Sequence, residues 1–201
     1  MNFDYDKIQT AIELLKPNNE LFECRILMKK IDRDYKVRER SLSGYFRGFE
    51  KLKAALTAYE NCPYTNFFIT LNEINPACYS RLQRDRFLEV KPTTSDSDIT
   101  KYEWLLIDLD PVRPAGVSST NEDCIEAMKK AEEIAERLVD LGFTEPVIAF
   151  SGNGVHVLFK IDIENITGDE TNSTAGLIKN VLQAIAILFS DDVVKVKLEC
   201  C

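Results

Sequence analysis

The chain has 201 residues, a net charge of −8 at neutral pH, 45% hydrophobic residues and 29% charged ones. That is ample for a buried core in an ordinary globular protein, and the acidic balance excludes a surface that is basic throughout. Apolar runs such as Trp104–Ile107 are strand-sized and far short of a membrane span, and the start, Met1–Asp6, lacks the basic and apolar parts of a signal peptide. A cytoplasmic protein without a membrane partner is expected.

Taken in chain order, Tyr5–Leu15 carries Ile8, Ile12 and Leu15 at helical spacing, with Pro17 just past the end. Leu21–Leu27 reads as a strand. A basic segment overlaps it: from Arg25 to Lys53 there are ten Lys and Arg against four Asp and Glu, a local +6 that leaves −14 for the rest. Such a strip can hold phosphates, or it can be a solvated, salt-bridged face; both readings stay open. Phe49–Tyr59 is a second short helix and Asn66–Leu71 an apolar strand. The polar stretch Pro92–Asp98 is a surface loop rather than a domain linker, so a single domain over 1–201 is expected, made of an N-terminal αβ unit, residues 1–100, and a core at 101–201.

Tyr102–Leu109 is a buried strand that ends in carboxylates, and Pro111, Pro114 and Gly116 break the chain after it. Thr120 caps a helix with Asp123 three residues on, its buried face marked by Ile125, Met128, Ile134, Ala135 and Leu138, and Gly142 closes it. Pro146–Phe150 and Val155–Ile161 are strands joined by Ser151-Gly152-Asn153-Gly154, a turn so short that they must be antiparallel. A helix over Thr174–Phe189, using Ile178, Val181, Leu182, Ile185 and Phe189, precedes a final strand, Val193–Leu198. The fold class is α/β (α+β): an RRM-like mixed or antiparallel sheet with flanking helices, plus the N-terminal αβ unit. Six cysteines form no C-x-x-C pair, so reduced thiols are expected and no zinc site.

Asp108 and Asp110 are the sharpest chemical feature. Two residues apart on a strand, they project to one face, where their carboxylates repel unless a cation lies between them. Oxygen ligands of this kind suit Mg²⁺ or Mn²⁺, which bridge phosphate oxygens. The two glycines of the Ser151–Gly154 turn allow backbone N–H groups to approach an anion, although an ordinary hairpin loop has the same composition. His156, the only histidine, lies two residues beyond it. Arg113 could clamp a triphosphate or pair with an acidic neighbour.

Leu105-Leu106-Ile107-Asp108-Leu109-Asp110-Pro111-Val112-Arg113-Pro114-Ala115-Gly116 and Ser151-Gly152-Asn153-Gly154-Val155-His156 resemble the first two motifs of the archaeo-eukaryotic primase superfamily, in particular the primase-polymerases of phages, plasmids and integrated elements. Gly44-Tyr45-Phe46, Thr70-Leu71-Asn72, and Thr93-Thr94 through Asp98-Ile99 share the likeness, which runs from about Leu21 onward. The resemblance implies that Asp108 and Asp110 bind Mg²⁺ or Mn²⁺ and act with His156 in catalysis. It also implies that Ser151, Gly152, Asn153, His156 and Arg113 contact the incoming nucleoside triphosphate. The implied reaction is template-directed nucleotidyl transfer on single-stranded DNA in mobile-element replication, with a helicase domain or protein as partner. One departure stands out: a third motif supplies an aspartate on a following strand, and the matching position here is Lys197, with Glu199 two residues on. A protonated lysine cannot ligate a cation. The family's sequence also continues further, so the expectation is either a chain truncated at its C-terminal side or a decayed, inactive relative that still binds nucleotide.

Two other readings compete. Asp108-Leu109-Asp110-Pro111-Val112 also fits the nucleophile motif of haloacid-dehalogenase-type phosphatases, with Ser151 and the pair Asp191-Asp192 as later motifs. That fold needs a parallel sheet and a helix after the serine strand, whereas Val155–Ile161 reads as a strand. The third reading is a non-catalytic nucleotide- or DNA-binding module, favoured by the missing third carboxylate.

Overall fold

The computed structural model describes residues 3–31, 37–62, 65–89, 93–114 and 116–197, with only the backbone described at 29–31, 37–39 and 65. The chain divides into two compact units, Met1–Thr100 and Lys101–Cys201. The class is mixed α+β with antiparallel sheets and four α-helices among the described residues. Among those residues no helix is long and apolar enough to cross a membrane.

In the first unit, α1 (Tyr5–Leu15) begins at Asp4, whose carboxylate accepts from Lys7 N, and buries Ile12. Strand β1 (Leu21–Ile31) pairs antiparallel with β2 (Val37–Arg47) on one side and β3 (Thr65–Ile69) on the other. The sequence reading has no strand at β2, because the charged run around Val37–Arg40 masks the alternation that emerges only at Leu42-Ser43-Gly44-Tyr45. Helix α2 (Phe49–Leu56) is shorter than the expected Phe49–Tyr59, its last turn tightening into a 3₁₀ helix over Thr57–Tyr59. The core gathers Ile12, Phe22, Ile26, Phe46, Leu52 and Phe87. Pro92, at the start of the expected loop, lies outside the described residues; Asp96–Asp98 is a 3₁₀ turn held by a capping box between Ser95 and Asp98. Glu73 of the two-residue β4 (Glu73–Ile74) accepts from the Thr100 hydroxyl at 2.8 Å.

In the second unit, β5 (Ile99–Pro111) is the central strand of the sheet, with a paired strand on either side. Helix α3 (Asn121–Asp140) starts in a capping box between Thr120 and Asp123 and ends in paired bonds from Gly142 N to Val139 O at 2.9 Å and from Phe143 N to Leu138 O at 3.0 Å. Strands β6 (Val147–Phe150) and β7 (Val155–Glu164) form the antiparallel hairpin their short turn requires, and α4 (Thr174–Phe189) leads to β8 (Val194–Lys197). Leu198, the expected end of that last strand, lies outside the described residues. In space the order is β8-β5-β7-β6, antiparallel at every pairing.

Strand alternation sorts this sheet into two faces. Leu105, Ile107 and Leu109 of β5, Val155, Val157 and Phe159 of β7, and Val194 and Val196 of β8 are buried on one of them. Helix α3 contributes Ala127, Ala131, Ile134, Ala135 and Leu138, and α4 contributes Ile178, Leu182 and Ile185. Two expected members of the α3 stripe do not belong to it: Ile125 is exposed and Met128 only half-buried. The stripe is one of small residues, Ala127 and Ala131, which let the helix lie close to the sheet.

Candidate functional site

The other face of the same sheet carries the candidate site residues. The β5–β7 register sets Asp108 opposite His156, and the β5–β8 register sets Asp108 opposite Lys197 and Asp110 opposite Lys195. Directly opposed residues of an antiparallel pair share a face. The result is a row across three strands, His156–Asp108–Lys197, with Asp110 and Lys195 one step along. His156 Nε2 stands 3.4 Å from Asp108 Oδ1, and both side chains are part-exposed. The resemblance implied that Asp108 and His156 act on one ligand, and strand pairing brings them side by side, although 48 positions separate them in the chain.

Asp110 is engaged on both oxygens. Arg113 Nη1 donates to Oδ1 at 2.5 Å and Lys197 Nζ lies 3.2 Å from Oδ2. Burial raises the Asp110 carboxyl, but the two cations outweigh it and hold its pKa below the ordinary value. Arg113 is itself fixed, with Nη1 also donating to Pro111 O at 3.0 Å and Nε to Val117 O at 2.9 Å. Of the two roles open to Arg113 in the sequence, this structure has it paired with its acidic neighbour. The cation expected between the carboxylates is thus met at Asp110 by the protein's own side chains.

The Ser151–Gly154 turn closes on itself: Ser151 N donates to Gly154 O at 2.9 Å and Gly154 N to Ser151 Oγ at 3.0 Å. Its two glycines have different duties. Gly152 has φ +97 with open space around it, so it supplies a left-handed backbone. A Cβ on Gly154 would lie 2.1 Å from the Leu109 carbonyl oxygen, so Gly154 permits close approach to β5 next to Asp108 and Asp110. Asn153 is tied to the loop before α3, accepting from Ser119 N at 3.1 Å through Oδ1, while its carbonyl accepts from Ser119 Oγ. The hydrogen bonds of Ser151 and Asn153 therefore serve the turn and its neighbour loop, and none joins them to Asp108, Asp110 or His156.

In the sequence Lys197 stands out only as a lost carboxylate, and Lys195 does not stand out at all. The alternation Val194-Lys195-Val196-Lys197 was the available signal, since it puts both lysines on one face. Glu199, Cys200 and Cys201 lie outside the described residues, as does Ala115 of the first motif. Asp191 belongs to the turn before β8: its Oδ1 accepts from Val193 N and Val194 N, each at 2.8 Å, and its Oδ2 pairs with Lys130 at 3.1 Å. Those bonds hold its pKa near 2. Among the described residues no three His, Cys, Asp or Glu side chains converge to hold a metal ion. Of the two carboxylates, Asp110 has a cation of the chain at each oxygen, while Asp108 is part-exposed beside His156 and is the one open to a divalent ion from solution.

In the first unit the scattered segments that joined the resemblance meet in one polar network. Glu23, with no exposed side-chain surface, accepts from Arg25 at 2.9 and 3.0 Å, from Ser43 Oγ at 2.5 Å and from Thr94 N at 3.0 Å. Thr70 Oγ1 accepts from Glu23 N at 3.0 Å, Tyr45 bonds Thr94 at 3.1 Å, and Asp98 is clamped by both terminal nitrogens of Arg81. Burial raises the Glu23 carboxyl, yet its Arg25, Ser43 and Thr94 partners bring the pKa below 4.5. The described cations of the basic segment are engaged as well: Arg25 with Glu23, Arg40 with Glu89, Lys51 with Asp85 at 3.5 Å, Arg47 over the Tyr79 ring and Lys53 over Tyr5. That part of the strip is a salt-bridged face. Cys24, Cys62, Cys78 and Cys124 are in no disulfide.

Compared with known proteins, the chain matches no family model, no curated protein and no solved structure.

Proposed function

We propose that the second unit binds a nucleoside triphosphate on its open sheet face, as the core of a nucleotidyltransferase of primase-polymerase type. One observation carries the reading: the row His156–Asp108–Lys197, which three strands assemble on the face opposite the helices. It offers a carboxylate for a divalent ion, an ammonium for phosphate and an imidazole within reach of the same ligand. The element order β5-α3-β6-β7-α4-β8 with spatial order β8-β5-β7-β6 supports an RRM-like unit.

In this reading Asp108 holds Mg²⁺ or Mn²⁺, which when bound offsets charge on the triphosphate. His156 hydrogen-bonds a phosphate oxygen, Lys195 and Lys197 attract the anion, and the Ser151–Asn153 turn borders it. Single-stranded DNA template and a helicase partner follow from the same reading. The antiparallel β6–β7 hairpin favours it over a dehalogenase-type phosphatase, whose nucleophile strand lies in a parallel sheet. The cations on Asp110 favour, as a second reading, a module that holds the nucleotide without transferring it.

Titration with a fluorescent nucleoside triphosphate in Mg²⁺ tests the proposal. Asp108→Asn or His156→Ala is expected to weaken binding at least tenfold, about 1.4 kcal/mol. Full metal-dependent binding by Asp108→Asn would refute the assignment. Primer extension on a DNA template then separates transfer from binding, and release of phosphate from a phosphomonoester would instead support the phosphatase.

A further inference from the structure

We propose that Lys197 is a built-in cation, so that the site takes a nucleoside triphosphate with one divalent ion, at Asp108, and has no place for a second. This rests on the nucleotide reading above and concerns how its charge is balanced. Strand register fixes the lysine's position: Lys197 lies directly across from Asp108, and its ammonium sits 3.2 Å from Asp110 Oδ2. Arg113 occupies the other oxygen of Asp110 at 2.5 Å. Each oxygen of that carboxylate therefore faces a positive charge already, and Lys195 adds another across from it. Two carboxylates stand against three cations on this patch.

A second divalent ion between Asp108 and Asp110 would have to displace Lys197 and share Asp110 with Arg113. It would also meet the ammonium at close range, where like charges repel strongly on a partly desolvated face. One ion at Asp108 meets neither obstacle, since Asp108 faces His156 and can take an ion that arrives with the triphosphate, its remaining ligands being phosphate oxygens and water. Lys197 in turn can lend its charge to the phosphates without any metal.

The test uses the full chain and counts Mn²⁺ by electron paramagnetic resonance, with a non-hydrolysable nucleoside triphosphate and without it. Wild type is expected to bind one Mn²⁺ per bound triphosphate. Lys197→Asp, which turns the row into three carboxylates, is expected to bind two, and to bind free Mn²⁺ at least tenfold more tightly than wild type. Lys197→Gln, which removes the charge without adding a ligand, is expected to weaken metal-free triphosphate binding about tenfold and to leave the ion count at one. The side chain is 44% exposed, so these exchanges leave the core intact. Two Mn²⁺ per triphosphate in wild type, or no gain of metal affinity in Lys197→Asp, would overturn the inference. If wild type binds no triphosphate, the nucleotide reading fails on its own, while the free Mn²⁺ comparison still decides whether Lys197 blocks a metal position.

Discussion

Gly154→Ala is the most informative single change, because the structure assigns it a cost that a plain hairpin turn would not have. The added Cβ would stand 2.1 Å from the Leu109 carbonyl oxygen, against a floor of 3.0 Å for real Cβ contacts. Backbone must therefore move by about 1 Å, since neither atom is the end of a flexible side chain. Overpacking of this kind costs roughly 1–3 kcal/mol. With about 2.1 cal/mol/K of unfolding entropy per residue, ~2 kcal/mol lowers the Tm by roughly 10 °C if the second unit melts alone, and by about 5 °C if all 201 residues melt together. The comparison is Gly152→Ala, where φ +97 strains the backbone but nothing lies within 4 Å; its cost is about 1 kcal/mol. Differential scanning calorimetry on both variants reads the order directly. A Gly154→Ala protein that melts with wild type, or above Gly152→Ala, would refute the close approach of β7 to β5 that sets His156 beside Asp108.

Glu23→Gln leaves Arg25 without its ion-pair partner beside a fully buried side chain and is expected to cost about 2–3 kcal/mol, less than a fully buried pair because Arg25 is 35% exposed; urea unfolding measures it. Since the folded pKa of Glu23 is depressed below 4.5, its contribution is complete above about that pH and is lost as pH falls through the lower value, so acid denaturation should shift least in Glu23→Gln. Thr120→Ala removes the hydroxyl that accepts from Asp123 N at 3.1 Å and should cost about 1 kcal/mol in a thermal melt, with Thr120→Asn restoring most of it. Asp191→Ala removes two acceptor bonds from the β7-to-β8 half of the unit and is expected to lower stability by about 1 kcal/mol while leaving triphosphate binding unchanged. Loss of binding in that variant would reopen the phosphatase reading, where Asp191 has a direct role.

Local signals in the second unit carry through to the structure where they are self-contained. The Thr120–Asp123 box, the Gly142 stop and the short β6–β7 turn each act within a few residues, so each is legible in the chain itself. Strand β2 was not, since its first half is charged and its pairing with β1 is what makes it a strand. Ile125 misled for a related reason. Its spacing suits the helix stripe, but α3 presents Ala127 and Ala131 to the sheet, and only packing reveals which of two adjacent apolar rows faces inward. The polar segments Tyr45, Thr70, Thr94 and Asp98 could be noticed one at a time, yet their convergence on Glu23 and Arg81 depends on strand register across the first unit.

The same limit explains why the site's charge balance was invisible in the sequence. Asp108 and Asp110 read as a pair of carboxylates in need of a cation, and that demand is physical. What answers it at Asp110 comes from Arg113, three residues away, and from Lys197, far along the chain and adjacent only because β8 lies antiparallel to β5. A carboxylate satisfied by two side chains gains little from a divalent ion, which would have to break both contacts before forming its own. In the proposed function it is Asp108, facing an imidazole across β7 instead, where an incoming ion adds charge compensation. The charge balance of this face is therefore set less by the acidic motif than by which residues the neighbouring strands place beside each carboxylate.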